Sequence, residues 1–448
     1  MTFKLALDID CGIRHMYNAL YIMSSCGRKL QLSARMMTTE SEIEAYYYQL
    51  NEIYNSDCSR IAHRLMYLKD IETTIKRLAD GTTLSDIELF EIKYLAILSK
   101  EIWQMLTEQS ITVIQLPCLD KVISTLDPDG LNIASFYIYD SYSDELREIR
   151  KAIRHLQGNG VELTDEQRQE LAILLEKNAD IELAIREDLS QALCTYASDL
   201  QQALHNLSHL DVLIAKAEQM KRMHLCFPKV NTSGTTYYRG MFNPAVKEQI
   251  ATQGREFMPI DINFNHTPVT IIGANMGGKS VVLRTLALNQ LLTQFGFGVA
   301  AHDCNINLVE EITLCIGDEQ SVSKGLSSFA AEILAIDTII KKTREGVNIL
   351  ALVDEPARTT NPIEGTALVE GLLQTIDHVK GAFILTTHYN IMNDQVKRYR
   401  VKGLHNGVMD YTLQETQCGE VPHEAIAIAE SMCIDSQWIE NAKKNLNN

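Results

Sequence analysis

The sequence predicts a two-part chain of the α plus α/β class. An all-helical half occupies residues 1–226, and an α/β half with a largely parallel sheet and a helical C-terminal tail occupies 227–448. Three observations predict it. From about Gly27 to Lys216 apolar and charged residues recur at helical spacing, with Pro117 and Pro128 the only prolines. Between Pro228 and Pro259 the composition shifts, with Gly234, Gly240, Pro244 and Gly254 in a short span, which sets the boundary near Phe227. Beyond it short β-rich runs alternate with helical ones, the pattern of a parallel sheet covered on both faces.

Each element has its own warrant. GRKLQLSARMMTTESEIEAYYYQLNEIY carries apolar and charged positions at helical spacing, and LKDIE starts another helix through Leu78. Ser85 and Glu88 have the spacing of a capping box ahead of a further apolar run. The aromatic stripes here (Tyr46, Tyr47, Tyr48, Trp103) read as core. Pro117 to Pro128 is a connector. DSYSDELREIRKAIRHL then begins a long polar helix that breaks at 158–160, and a return helix starts at Thr164, again with box spacing to Gln167. Two long helices about one glycine turn predict an antiparallel hairpin, whose charges read as a solvated face. QALHNLSHLDVLIAKAEQMKRM closes the helical half. Strands are expected at Val269–Ile272, Ile312–Ile316, Ile349–Val353 and Ala382–Thr386.

Composition narrows the function classes. The 41 basic and 58 acidic residues give a net charge of −17, which argues against a broad basic face for nucleic acid but not against a local basic patch. The ten cysteines are scattered singly with no C-x-x-C, so neither a zinc site nor a disulfide framework is expected. MTFKLALDIDCGIR carries early acids and no long apolar stretch, so it does not read as a signal peptide, and no segment approaches the ~20 apolar residues of a membrane span. A cytoplasmic location without a membrane partner is the expectation.

The chemistry centres on Gly273-Ala274-Asn275-Met276-Gly277-Gly278-Lys279-Ser280, which fits G-x-x-x-x-G-K-[ST] between a β-branched run and an apolar helical one. Glycines let backbone N–H groups approach phosphates, and the helix N-terminus adds partial positive charge. Lys279 supplies a cation for the β- and γ-phosphates, the Ser280 hydroxyl is a candidate Mg²⁺ ligand, and Val281 continues the nucleotide-binding run. The apolar strand before Asp354-Glu355 sets Asp354 near the Mg²⁺ sphere and makes Glu355 the candidate to orient attacking water. His388, at the end of a further strand, is a candidate γ-phosphate contact; an isolated histidine is more often structural. Ser327 and Ser328 open a helix, which suits an anion, or simply an N-cap.

These residues carry a family resemblance. GANMGGKS, SSFAAE, DEPARTTNPIEG, TTHY, GLHN and HEAIAIAESMCIDSQWIENA resemble successive motifs of the MutS mismatch-repair ATPases, most specifically from Thr270 to Tyr389. GRKLQLSARMMTTESEIEAYYYQL, LKDIETTIKRL and LSHLDVLIAKAEQM resemble that family's core and lever segments, and DSYSDELREIR looks closer to its recombination-suppressing branch. The resemblance implies a core and lever domain followed by an ABC-like P-loop head that binds ATP and Mg²⁺ and dimerises, as a homodimer or with a MutS-like paralogue. Ser327 and Ser328 would then complete the partner's site, Phe257 would stack the adenine and Asn275 would lie beside the phosphates.

There are departures. No F-x-E wedge motif occurs, and the expected mismatch-reading, connector, clamp, helix-turn-helix and nuclease segments are not recognisable. Pro356, Thr359, Asn361 and Pro362 replace small residues after the acidic pair. The expected function is an ATPase that drives a conformational change of a dimer, with mismatched or branched DNA as the family's default target. The alternative is a protein-remodelling ATPase acting on a partner enzyme, such as a reactivating factor for an adenosylcobalamin-dependent aminomutase. A module that holds ATP without hydrolysing it fits worst, because Asp354, Glu355 and His388 are all present.

Overall fold

The structure is a computed structural model that describes residues 1–131, 135–157, 164–273, 278–316, 328–376, 380–405, 408–417, 426, 429–430 and 434–446. Helices and two sheets divide into two compact units. One unit holds Ile22–Gln31 and Gln49–Ala215; the other holds Met1–Tyr21, Leu32–Tyr48 and Lys216–Asn448. The N-terminal segments therefore cluster with the sheets and not with the helices that follow them in sequence.

The helical unit is built on the helix Asp86–Glu108, whose Leu89, Ile92, Leu95, Leu98, Ile102 and Leu106 are buried on a 3.6-residue period. It starts at the capping box read from the sequence: the Ser85 side chain accepts from Glu88 N–H while the Glu88 carboxylate accepts from Ser85 N–H. Thr164 and Gln167 form a second such box at the start of the helix Asp165–Cys194. That helix lies beside Asp144–Gln157, and Arg150 ties the two: its guanidinium donates to Asp140 Oδ1 at 2.6 Å and Glu182 Oε1 at 2.8 Å. The arms are thus partly pinned by their charges. The turn expected at 158–160 lies outside the described residues.

Two expectations in the helical stretches need correction. The segment beginning at Gly27 is broken into Ser25–Ser33 and Glu40–Tyr54, with non-helical residues between them. Tyr47 is buried, but Tyr48 and Trp103 are 69% and 50% exposed. Successive helical residues point about 100° apart, so a run of three tyrosines cannot share one buried face.

Among the described residues the other unit carries ten strands: β1 (Lys229–Asn231), β2 (Thr236–Met241), β3 (Ile260–Phe264), β4 (Val269–Ile272), β5 (Asp303–Asn307), β6 (Glu311–Cys315), β7 (Ile349–Val353), β8 (Ala382–Thr387), β9 (Lys397–His405) and β10 (Val408–Glu415). The larger sheet has the order β10-β9-β4-β8-β7-β6, with every neighbouring pair parallel except β10–β9. The four strands expected from sequence are its centre and one edge. A second, mixed sheet, β1-β5-β2-β3, was not expected.

Strands β4, β7 and β8 are buried at every position, as a sheet covered on both faces requires. Ile336, Ile339, Val369, Leu372 and Leu373, from the helices Ser328–Arg344 and Pro362–Thr375, pack on Ile349, Ala351, Val353, Phe383 and Leu385. Each fully buried aliphatic side chain of this kind is worth about 1.5–3 kcal/mol.

The helix Lys279–Gln294 is buried around most of its circumference, polar residues included. Those polar groups are satisfied by loops. Gln294 Nε2 donates to Met37 O and Val309 O at 2.7 and 2.8 Å, and Asn289 Oδ1 accepts from Ala300 N–H at 2.9 Å. Near its C-terminal end Phe3 stacks on Phe297 (5.4 Å between centroids), and the Lys216 ammonium donates to Tyr46 OH and Phe295 O, both at 2.7 Å. The helix that starts at Lys279 is thereby fixed along its length. Among the described residues no helix is long and apolar enough to cross a membrane.

Candidate nucleotide-binding site

Register brings the motif residues together. Val353 pairs with Leu385 and Ile272 with Thr387, so the chain leaves β4, β7 and β8 at neighbouring points along one edge of the sheet. In open parallel sheets, crevices for ligands form outside the carboxyl ends of the strands. Gly273 follows β4, Asp354 and Glu355 follow β7, and His388 follows β8.

Gly278 takes a left-handed φ of 78° immediately before the helix starting at Lys279, and a Cβ there would lie 3.1 Å from the Tyr411 ring. Glycine suits both demands. The Lys279 side chain is 4% exposed and curls back over the loop, its ammonium donating to Gly273 O at 2.8 Å and lying 3.0 Å from Glu355 Oε1. The Glu355 side chain is only 11% exposed, and Arg358 Nη1 lies 3.5 Å from its second oxygen.

The Ser280 hydroxyl donates to Asp354 Oδ2 at 2.6 Å. Thr386 Oγ1 donates to Asp354 Oδ1 at 2.5 Å and accepts from Glu355 N–H at 2.9 Å. Asp354 N–H donates to Cys315 O at 2.8 Å, so the acidic pair is fastened to strands on both sides. Among the described residues no group of three or more His, Cys, Asp or Glu side chains could hold a metal ion. The adjacent oxygens of Ser280 and Asp354 do suit a hard cation such as Mg²⁺, which takes few protein ligands and completes its shell with water and phosphate oxygens.

The turn after β7 is strained. Glu355 and Ala357, neither a glycine, have φ of 45° and 60°, a conformation that costs on the order of 1–3 kcal/mol per residue. Contacts on both sides hold it: Ala357 N–H donates to Glu332 Oε1 at 2.9 Å, and Tyr389 OH donates to Ala357 O at 2.8 Å.

His388 is exposed on one side, and its remaining burial lowers its pKa below 6.5; Glu355 opposes the shift, while Lys279 and Arg358 add to it. The neutral imidazole is therefore the form present at neutral pH. Burial raises the Tyr389 hydroxyl above 10, with Glu332 and Glu355 adding to it, so this phenol stays a donor.

The structure thus gathers Gly273, Gly278, Lys279, Ser280, Asp354, Glu355 and His388. Val281 lies in the first turn of the helix. Phe257 is half-buried ahead of β3. Ala274, Asn275, Met276, Gly277 and Ser327 lie outside the described residues; the backbone of Ser328 opens the helix Ser328–Arg344. Sequence reasoning missed Thr386, Tyr389 and Glu332, and gave Arg358 no role. All four stood inside motifs already noted, but which of their neighbours they bind is a matter of tertiary contact.

The family model described as MutS domain V matches residues 269–447. A protein named Endonuclease MutS2 from Caldanaerobacter subterraneus subsp. tengcongensis is 31% identical over 295 residues, 63% of this chain and 35% of that protein. Endonuclease MutS2 of Geobacillus thermodenitrificans is 26% identical over 455 residues, 84% of this chain and 56% of its own length. That of Streptococcus mutans serotype c is 24% identical over 445 residues, covering 84% and 55%. The chain thus spans between a third and just over half of the length of these relatives.

Proposed function

We propose that this chain, which belongs to the MutS family, is an ATPase whose nucleotide turnover drives a conformational change of a dimer acting on DNA. In this reading residues 1–226 form a core and lever domain, and residues 227–448 form an ABC-like P-loop head with a helical tail. The observation that carries it is the cluster at the strand ends: Lys279 3.0 Å from Glu355, and Ser280 2.6 Å from Asp354.

Each group has a task suited to its chemistry. Gly273 to Gly278, with Val281 behind them, present backbone N–H groups to the phosphates. Lys279 balances the β- and γ-phosphate charge, exchanging its Glu355 partner for phosphate oxygens. Ser280 and Asp354 would hold Mg²⁺, which when bound would offset charge on the phosphates. Glu355 orients the attacking water and takes its proton, and neutral His388 hydrogen-bonds near the γ-phosphate. Phe257 stacks the adenine, and Ser327 and Ser328 complete the site of the partner subunit, either a second copy or a paralogue.

The name of these relatives, Endonuclease MutS2, supports a nucleic-acid target. No observation favours a protein client such as an aminomutase. Magnesium-ATP titrated calorimetrically into the chain should give binding heat that Lys279→Ala abolishes. Glu355→Gln should keep that heat while turnover falls ~10²–10⁴-fold, the range for loss of a general base. Unchanged hydrolysis in both variants defeats the reading.

A further inference from the structure

We propose that Glu332 and Tyr389 are positioning residues that hold the acidic turn in its working shape, so that the helix carrying Glu332 sets the aim of Glu355. The inference rests on the ATPase reading above and deepens it.

The turn has a reason to need holding. Glu355 and Ala357 both sit at positive φ without being glycine, so the turn relaxes unless its surroundings oppose that. Ala357 is 1% exposed and is gripped at both of its backbone polar groups: Glu332 Oε1 takes its N–H at 2.9 Å and Tyr389 OH donates to its C=O at 2.8 Å. The two grips come from different elements. Glu332 lies one turn into the helix Ser328–Arg344, and Tyr389 lies two residues past β8, beside His388.

Room for the phenol is specific. A Cβ on Gly365, in the helix Pro362–Thr375, would lie 2.3 Å from the Tyr389 hydroxyl oxygen. Two elements therefore meet on one backbone residue, two positions from Glu355, and a third leaves room for the phenol that reaches it. A rotation of the helix Ser328–Arg344 pulls on the Ala357 amide and is felt at the Glu355 carboxylate, which pairs with Lys279 and Arg358.

The test uses the whole chain and compares steady-state hydrolysis with amide hydrogen exchange over 354–361. Glu332→Ala, Tyr389→Phe and Gly365→Ala each speed exchange of the Ala357 amide. Each lowers kcat ~5–100-fold, the size of one or two lost hydrogen bonds, and leaves KM within about twofold. Glu332→Gln keeps an acceptor and restores most of the rate. In the Glu355→Gln background the same substitutions cost nothing further, because groups acting through one residue are not additive.

Full kcat in the three variants, or losses that simply add to that of Glu355→Gln, overturns the inference while the ATPase reading stands. A wild-type chain that turns over no ATP removes the reading itself.

Discussion

Lys279 and Glu355 are opposite charges withdrawn from water, and each compensates the other. Removing one partner of such a pair leaves an uncompensated buried charge, commonly at a cost of about 3–5 kcal/mol. The pair therefore holds both groups close to where phosphate and water are proposed to meet. His388 completes the residue-scale picture and makes a pH prediction. Burial, with help from Lys279 and Arg358, outweighs Glu355 and holds its pKa below 6.5. Above pH 6.5 the ring is neutral whether the chain is folded or not, so it leaves stability unchanged there. As pH falls from 6.5 through the lower folded value, the unfolded chain takes up the proton first and stability declines. If the neutral ring serves hydrolysis, kcat is level from pH 7 to 8 and breaks only below 6.5. A kcat–pH profile of the wild type beside His388→Asn reads this directly. A break above pH 6.5 that the substitution removes contradicts it.

At the scale of elements, the site depends on the register between β7 and β8, and Gly381 guards that register. A Cβ on Gly381 would sit 1.9 Å from Ile349 O, a backbone atom that no rotamer change can move. Gly381→Ala must therefore push the two strands apart or along each other, and Asp354 loses its place beside Thr386. Overpacking of this kind is expected to cost about 1–3 kcal/mol, with ATP affinity falling alongside the melting temperature. Gly371 is the control: nothing lies within 4 Å of its added Cβ, and in the helix Pro362–Thr375 alanine should stabilise by about 0.5–1 kcal/mol. Equal melting of the two variants would refute the register argument. The same elements mark how far the sequence could be read. The strands β4, β7 and β8 and the edge strand β6 were legible as short β-rich runs, and two helix starts as capping boxes, because both signals are local. The β1-β5-β2-β3 sheet was not, since its short strands lie among glycines and polar residues that read as a linker. The strained turn at Glu355 and Ala357 gave no local sign, because tertiary grips and not glycine impose its φ values. Tyr48 and Trp103 misled because aromatic content was taken for burial without asking which face each residue occupied.

For the molecule as a whole, net charge decides how a DNA target would be met. At −17 the chain is repelled by a polyanion at long range, so any affinity must come from local lysines and arginines against phosphates. The long arms offer little of this without rearrangement. Arg147 faces Asp144, Lys151 faces Glu148 and Arg168 faces Asp165, so much of the positive charge there is already paired on the same helix. Exposed pairs of this type are worth roughly 0–1 kcal/mol each, so phosphates can displace the acids at small cost. Binding through such contacts releases counterions and must weaken with salt. About four neutralised phosphates correspond to a ~10²-fold loss of affinity between ~50 and ~200 mM salt. We therefore expect the chain to bind duplex or branched DNA measurably at low salt, with a steep, linear fall of log affinity against log salt. Adding Mg²⁺-ATP to the hydrolysis-deficient Glu355→Gln variant should shift the whole line, because the proposed cycle links nucleotide to DNA. Fluorescence anisotropy on labelled duplexes across that salt range separates the outcomes. A flat line would mean that phosphates are not contacted, and no binding at micromolar chain in ~50 mM salt would remove DNA as the target while leaving the ATPase untouched.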